Sequence, residues 1–225
     1  MKQTFFVTGT DTEVGKTAIS CALLKSAMEL GLSTAAIKPV AAGCDADGHN
    51  EDALLLMDHM SAPLSYERVN PVALDAAIAP HIAAAEEGRH LQVSRLAGLC
   101  RGVMLEGADV TLIEGAGGWR VPLNAWETLA DLVRELNVEV ILVVALRLGC
   151  LNHALLTAEA IRRDGLRLAG WVGNQPGNEM TRQVENIDTL EASLGAPCLG
   201  LVPRLDPFSA EGAAQHIDFK KLLGK

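Results

Sequence analysis

Residues 8–17 read Thr8-Gly9-Thr10-Asp11-Thr12-Glu13-Val14-Gly15-Lys16-Thr17, set between the apolar run Phe5-Phe6-Val7 and the helical period of Ile19, Leu23 and Leu24. A strand, a glycine-bearing loop and a helix in that order constrain the fold more than any other stretch of the chain. Such a loop binds phosphate because successive backbone N–H groups turn inward on the anion, a lysine reaches the β- and γ-phosphates, and a Ser or Thr hydroxyl ligates Mg²⁺. Gly15, Lys16 and Thr17 supply those last parts. The helix that starts near Lys16 adds the positive end of its macrodipole. One irregularity stands out: the generic pattern has glycine five residues before Gly15, but Thr10 holds that place and the glycine is Gly9. The flanking strand and helix still mark the segment as a nucleoside triphosphate site.

Apolar runs of strand length recur at residues 3–8, 34–40, 110–114, 138–145, 168–172 and 198–202, and most are separated by segments of helical period. The runs are nearly continuous rather than alternating, as expected for strands covered on both faces. This predicts an α/β fold, a single-domain P-loop NTPase-like parallel sheet with helices on both faces, and one ATP-binding domain over residues 1–225. Between residues 40 and 109, helices are expected at 51–60 and 90–105, with a proline-marked stretch at 70–81 between them.

The chain has 225 residues, 49% of them hydrophobic, and a net charge of -9. Its basic residues are scattered, which argues against a nucleic-acid backbone as partner. The five cysteines are widely spaced and include no C-x-x-C, so neither a disulfide framework nor a zinc site is indicated, and they read as reduced, mostly buried thiols. The chain enters a strand at once, without a signal-peptide core, and its longest apolar run is too short for a bilayer, so a cytoplasmic protein away from membranes is expected.

In parallel sheets ligands sit at the carboxyl ends of the strands. Lys38 closes the second run, where it either lies near the γ-phosphate or is solvated. Glu114 ends the run Val110-Thr111-Leu112-Ile113 and passes into Gly115-Ala116-Gly117-Gly118, the place of a Mg²⁺-binding acid or of a helix cap. Asp52 stands at a helix start, as a metal ligand or a first-turn charge. Asn174 follows the fifth run, where its amide could read the N6/N7 edge of adenine or serve an ordinary turn. Cys150, Leu151 and Asn152 open a second helix that suits an anion, with Asn152 as a plain N-cap on the simpler reading. None of the six histidines belongs to a ligand-spaced pair.

Taken together, Phe6-Val7-Thr8-Gly9-Thr10-Asp11 with Gly15-Lys16-Thr17, Lys38-Pro39-Val40 with Gly43, residues 51–56, Asn70-Pro71 with Pro80-His81, residues 113–119, 148–161, 168–174 and 200–205 resemble the dethiobiotin synthetase family. The resemblance implies an ATP-dependent ligase of biotin synthesis acting on 7,8-diaminopelargonic acid and CO₂. A carbamate formed on one amine attacks the γ-phosphate, and the second amine closes a cyclic urea. It implies catalytic Lys16 and Lys38, and Mg²⁺ on Thr17, Asp52 and Glu114. It places ATP against Glu13, Val14, Gly15, Lys16, Thr17, Ala18, Gly115, Ala116, Gly117, Asn174, Gln175, Pro203, Arg204 and Leu205. It places the substrate against Lys38, Ala42 and Gly117, with its carboxylate at Cys150, Leu151 and Asn152 of a second subunit in a homodimer. Ala42 departs from the family, which usually has serine there, and so lacks a hydroxyl contact to the substrate.

Two other classes compete. A partition-type switch ATPase carries a signature lysine where this chain has Asp11, and often a basic amphipathic tail, for which Phe219-Lys220-Lys221-Leu222-Leu223 is a weak candidate. A nucleotide sensor without catalysis would have no use for Lys38.

Overall fold

The computed structural model describes residues 2–223. The strands are β1 Gln3–Gly9, β2 Thr34–Ile37, β3 Ala41–Ala42, β4 Ala73–Leu74, β5 Val110–Glu114, β6 Glu139–Ala145, β7 Leu168–Asn174 and β8 Cys198–Val202. The helices are α1 Lys16–Glu29, α2 Glu51–His59, α3 Tyr66–Val69, α4 Pro80–Glu86, α5 Val93–Met104, α6 Leu129–Leu136, α7 Cys150–Arg163, α8 Gln183–Leu194 and α9 Ala210–Ala214, followed by a 3₁₀ turn at Phe219–Leu222. Six strands form one sheet in the order β2-β5-β1-β6-β7-β8, every pairing parallel. The central strands β1, β5, β6 and β7 bury nearly every residue, which is why their sequences read as continuous apolar runs.

The strand order sets the site. From β1 the chain crosses to β2 on one side and later fills β5 between them, whereas β6 lies on the other side of β1. The carboxyl end of β1 is therefore a switch point where loops diverge and leave a crevice. In that register Val7 pairs with Glu114, so the acid that ends β5 stands beside the start of the phosphate loop.

Three expectations need correction. The second run ends as a strand at Ile37, because Lys38 and Pro39 leave the sheet and Ala41–Ala42 pairs instead with Ala73–Leu74 in a separate two-stranded ribbon. The fifth run extends to Asn174, which is the last residue of a buried strand and not a turn residue. Asn152 is not an N-cap. Gly149, at φ 96°, occupies that position of α7, and Asn152 lies within the first turn.

The tail at residues 219–222 is docked. Phe219 meets Phe5 edge to face at 6.4 Å, and Phe219 and Leu222 are both buried, so the apolar side of this turn is committed to the core instead of to a membrane. No helix among the described residues is long and apolar enough to cross a bilayer. All five cysteines are free, with Cys21, Cys100 and Cys150 buried.

Candidate active site

The phosphate loop leaves β1 at Gly9 and enters α1 at Lys16. Its shape explains the displaced glycine. Val14 turns its side chain inward, fully buried, and a Cβ on residue 9 would lie 2.5 Å from Val14 Cγ2. Glycine is therefore required at position 9, under Val14, and not at position 10. Gly15 caps α1 at φ 86°, and a Cβ there would stand 2.2 Å from Asn174 Nδ2. Only glycine meets both demands. The same Asn174 amide donates to the Val14 carbonyl at 2.9 Å, so the end of β7 holds the loop in place. Gly118 lies close behind, where a Cβ would come within 3.6 Å of the Gly9 carbonyl.

Lys38, Glu114, Asp52 and Thr17 meet at the mouth of this loop. Lys38 Nζ lies 2.7 Å from Glu114 Oε1 and 2.7 Å from Asp52 Oδ2, and the Thr17 hydroxyl donates to the same Glu114 oxygen at 2.9 Å. Lys38 is 3% exposed and Glu114 0%. The strand-end lysine is thus not solvated, and Glu114 turns into the site instead of capping a helix. Asn50 caps α2, which leaves the Asp52 carboxylate free to reach Lys38.

Burial of this kind is costly unless charges are paired. For Lys38, burial works to strip the proton, but Glu114 and Asp52 outweigh it and leave its pKa above the usual lysine value. Burial also opposes the charge on Asp52, yet Lys38 holds its carboxyl below the usual range. Lys16 has weaker compensation. Burial, with Lys38 adding repulsion against the attraction of Glu114, lowers it to about 8. Its ammonium donates to the Asp11 carbonyl at 3.1 Å, within its own loop. A bound triphosphate is the compensating charge that Lys16 lacks.

The donors suit Mg²⁺. Among the described residues Glu114 Oε2 is buried and has no hydrogen-bond partner, while its other carboxylate oxygen takes the Thr17 hydroxyl and shares Lys38 with Asp52. These are hard oxygen ligands too few to cage an ion alone, the usual situation for Mg²⁺, which completes its shell with water and phosphate oxygens. Thr17, Asp52 and Glu114 would hold it.

A cleft of about 770 Å³ opens from these groups. Thr12, Glu13, Gly15, Lys16, Thr17 and Ala18 form its phosphate end, and Lys38, Asp52, Ala116 and Gly117 its middle. Ala42 lines it too, as do Ile78, Ala79, Pro80, Arg120, Val121 and Pro122, which sequence reasoning missed. For Ile78, Ala79 and Pro80 the proline-marked stretch at 70–81 was the signal, while Arg120, Val121 and Pro122 had none, because a loop wall has no periodicity. Gly115 lies just behind this lining, where a Cβ would meet the Phe6 ring at 2.8 Å. Asn174, Gln175, Pro203, Arg204 and Leu205 lie outside this lining, as do Cys150, Leu151 and Asn152. Gln175 anchors the following loop by accepting from Gln183 at 3.0 Å. Burial pushes the nearby Cys21 thiol far up, which favours its protonated form.

The sequence pattern of an AAA domain family matches residues 3–212. Among solved structures, a ParA family ATPase from Chlorobium tepidum superposes with a TM-score of 0.57 at 14% identity, covering 98% of this chain and 92% of that one. The MinC:MinD cell division complex of Aquifex aeolicus gives 0.59 at 14% identity, covering 97% and 94%. Identities this low establish the nucleotide-binding fold and do not choose between a switch and a ligase. Curated relatives do choose. The ATP-dependent dethiobiotin synthetase BioD of Cellvibrio japonicus is 56% identical over 99% of this chain and 98% of its own length, and that of Pseudomonas paraeruginosa is 55% identical over 97% of each. With a buried lysine between two acids at the phosphate loop and full-length identity of this order, the chain belongs to the ATP-dependent dethiobiotin synthetase family.

Proposed function

We propose that the chain is an ATP-dependent dethiobiotin synthetase. CO₂ adds to one amine of 7,8-diaminopelargonate as a carbamate, and a carbamate oxygen takes the γ-phosphoryl group of ATP to give a carbamic-phosphoric anhydride. The second amine then displaces phosphate and closes the ureido ring, leaving dethiobiotin, ADP and phosphate. One observation carries this reading: Lys38 lies buried between Glu114 and Asp52 at the junction of the phosphate loop and a cleft with apolar walls. A phosphoryl acceptor that is itself an anion needs a cation between the two negative groups.

The roles are those the resemblance implies, and the position of the phosphate-loop, Lys38 and Asp52 side chains at the cleft supports the ones given to them. Lys16 and the loop N–H groups from Glu13 to Ala18 hold the β- and γ-phosphates, with Gly115, Ala116 and Gly117 close behind. Thr17, Asp52 and Glu114 hold Mg²⁺, whose chemistry is to neutralise charge on the phosphate oxygens. Lys38 orients the carbamate and meets charge as the phosphoryl group passes. Ile78, Val121 and Pro122 give a methylene chain an apolar wall, and Ala42 contributes no hydroxyl. Asn174 keeps its amide oxygen for the adenine edge, with Gln175, Pro203, Arg204 and Leu205 around the base. Preorganisation and charge, with no covalent nucleophile, are what such a reaction asks of a protein.

ADP and phosphate should form only when diamine, bicarbonate, ATP and Mg²⁺ are all present, as read by coupled phosphate release. Rapid ATP hydrolysis without the diamine would instead favour the switch reading.

We place the protein in the cytoplasm as a homodimer, with the substrate carboxylate on the α7 N-terminus of the partner. Support comes from the surface: Leu148 is 93% exposed just before α7, and Leu155 and Leu156 are exposed on that helix, while Asn152 faces solvent and not its own cleft. Mixing an inactive Lys38→Ala subunit with an inactive Asn152→Asp subunit should restore one intact site per heterodimer and recover part of the activity. No recovery from subunits shown to exchange would put the whole site in one chain.

A further inference from the structure

The chain's single tyrosine lies outside the cleft lining, yet it joins the segments that carry Lys38 and Asp52. The Tyr66 hydroxyl accepts from the Asn50 backbone N–H at 2.7 Å and donates to Asn70 Oδ1 at 2.9 Å. The Asn70 amide in turn donates to the Lys38 carbonyl at 2.7 Å, and the Lys38 N–H donates to the Val69 carbonyl at 2.7 Å. Asn50 is the cap of α2, two residues before Asp52, and its side-chain amide donates to the Gly43 carbonyl at 3.1 Å. One hydroxyl thus ties together residues 38–43, 50–52 and 66–70. The His49 ring meets the tyrosine ring at 4.4 Å, interplanar angle 66°, and fixes its direction.

We infer that Tyr66 is a positioning residue for phosphoryl transfer, locking the backbone of Lys38 to the helix start that bears Asp52; this rests on the reaction proposed above. The chain of bonds has a defined polarity. Asn70 must present its oxygen to the hydroxyl and its nitrogen to Lys38, and Tyr66 must remain protonated to hold that orientation. Burial, which pushes the tyrosine pKa up, keeps it so. Without the hydroxyl, Asn70 can rotate, and the two groups at either end of the Lys38–Asp52 contact are no longer held by a common post. Catalytic geometry is sensitive at this scale, since a misplacement of about 1 Å can cost ~10²-fold in rate.

Tyr66→Phe keeps the ring and its packing and removes only the hydroxyl. The expected result is a kcat lowered by about tenfold, with the KM for ATP changed by less than about twofold, the pattern of a group that acts in the transition state. In the double variant Tyr66→Phe/Lys38→Ala, the second change should add almost nothing to the loss from Lys38→Ala alone, whereas independent effects multiply. Should Tyr66→Phe fail to fold, Asn70→Ser cuts the same chain at its next link and should give the same tenfold loss. A kcat within about twofold of the parent in the folded variant, or a full tenfold loss on top of Lys38→Ala, overturns the positioning role. The proposed reaction fails separately, if the unaltered chain shows no diamine-dependent ATP consumption.

Discussion

Lys38→Ala is expected to lower kcat by at least ~10²-fold while the affinity for a non-hydrolysable ATP analogue, measured by calorimetric titration, changes by less than about threefold. The magnitude is that of removing one preorganised donor aimed at developing charge. The split between chemistry and binding follows from geometry. In the proposed site Lys16 and the loop N–H groups would grip the phosphates, whereas Lys38 lies between Glu114 and Asp52 in the same cleft that Ala42 and Ala116 line. Interactions made chiefly in the transition state lower kcat and kcat/KM together. Full kcat with weakened ATP binding would assign Lys38 to the nucleotide instead. The same variant should also be less stable, by about 3–5 kcal/mol, because Glu114 would be left as a buried charge without its partner. A thermal melt reads that loss independently of activity.

Much of this site is legible in the order of the amino acids alone. The strand-loop-helix at residues 3–29, the acid at the end of β5 and the lysine after β2 are local signals, fixed by a few neighbouring residues, and the fold brings them within hydrogen-bond distance. What is not legible depends on distant contacts. The place of Gly9 follows from where the Val14 side chain folds, and the extension of β7 to Asn174 from its pairing with Ala145 and Val202. The run at 34–40 looks like one strand because Val40 is apolar, but Pro39 cannot donate to a ladder, and beyond it Ala41–Ala42 turns to meet residues 73–74 instead. The Tyr66 link is hidden for a related reason: a lone aromatic in a short helix has no periodic partner, and only the fold brings it to Asn50. Asn152 misleads in the opposite way, since an asparagine near a helix start invites a cap reading although a left-handed glycine just ahead of it holds that position.

Glu114→Gln should reduce turnover at fixed Mg²⁺ by roughly 10²-fold and raise the Mg²⁺ concentration needed for half-maximal rate, with the fold intact. Glutamine preserves the shape of the side chain, and its oxygen can still accept from Lys38 and Thr17, so the contacts that order the site survive. What it loses is the second oxygen, the one that is buried without a partner. An amide N–H in its place presents hydrogens to the position where a hard cation would need a lone pair. Binding of Mn²⁺ with ADP, followed by electron paramagnetic resonance, should weaken in parallel and without reference to turnover. Unchanged metal dependence would make Glu114 a counterion for Lys38 and nothing more. The double variant Lys38→Ala/Glu114→Gln separates these two roles. If the acid is both counterion and ligand, removing it together with the lysine should recover most of the stability lost in Lys38→Ala, because no buried charge then stands alone, and should recover none of the activity. Stability and catalysis part at this pair because burial makes the two charges depend on each other, while the reaction needs each of them to face a different ligand.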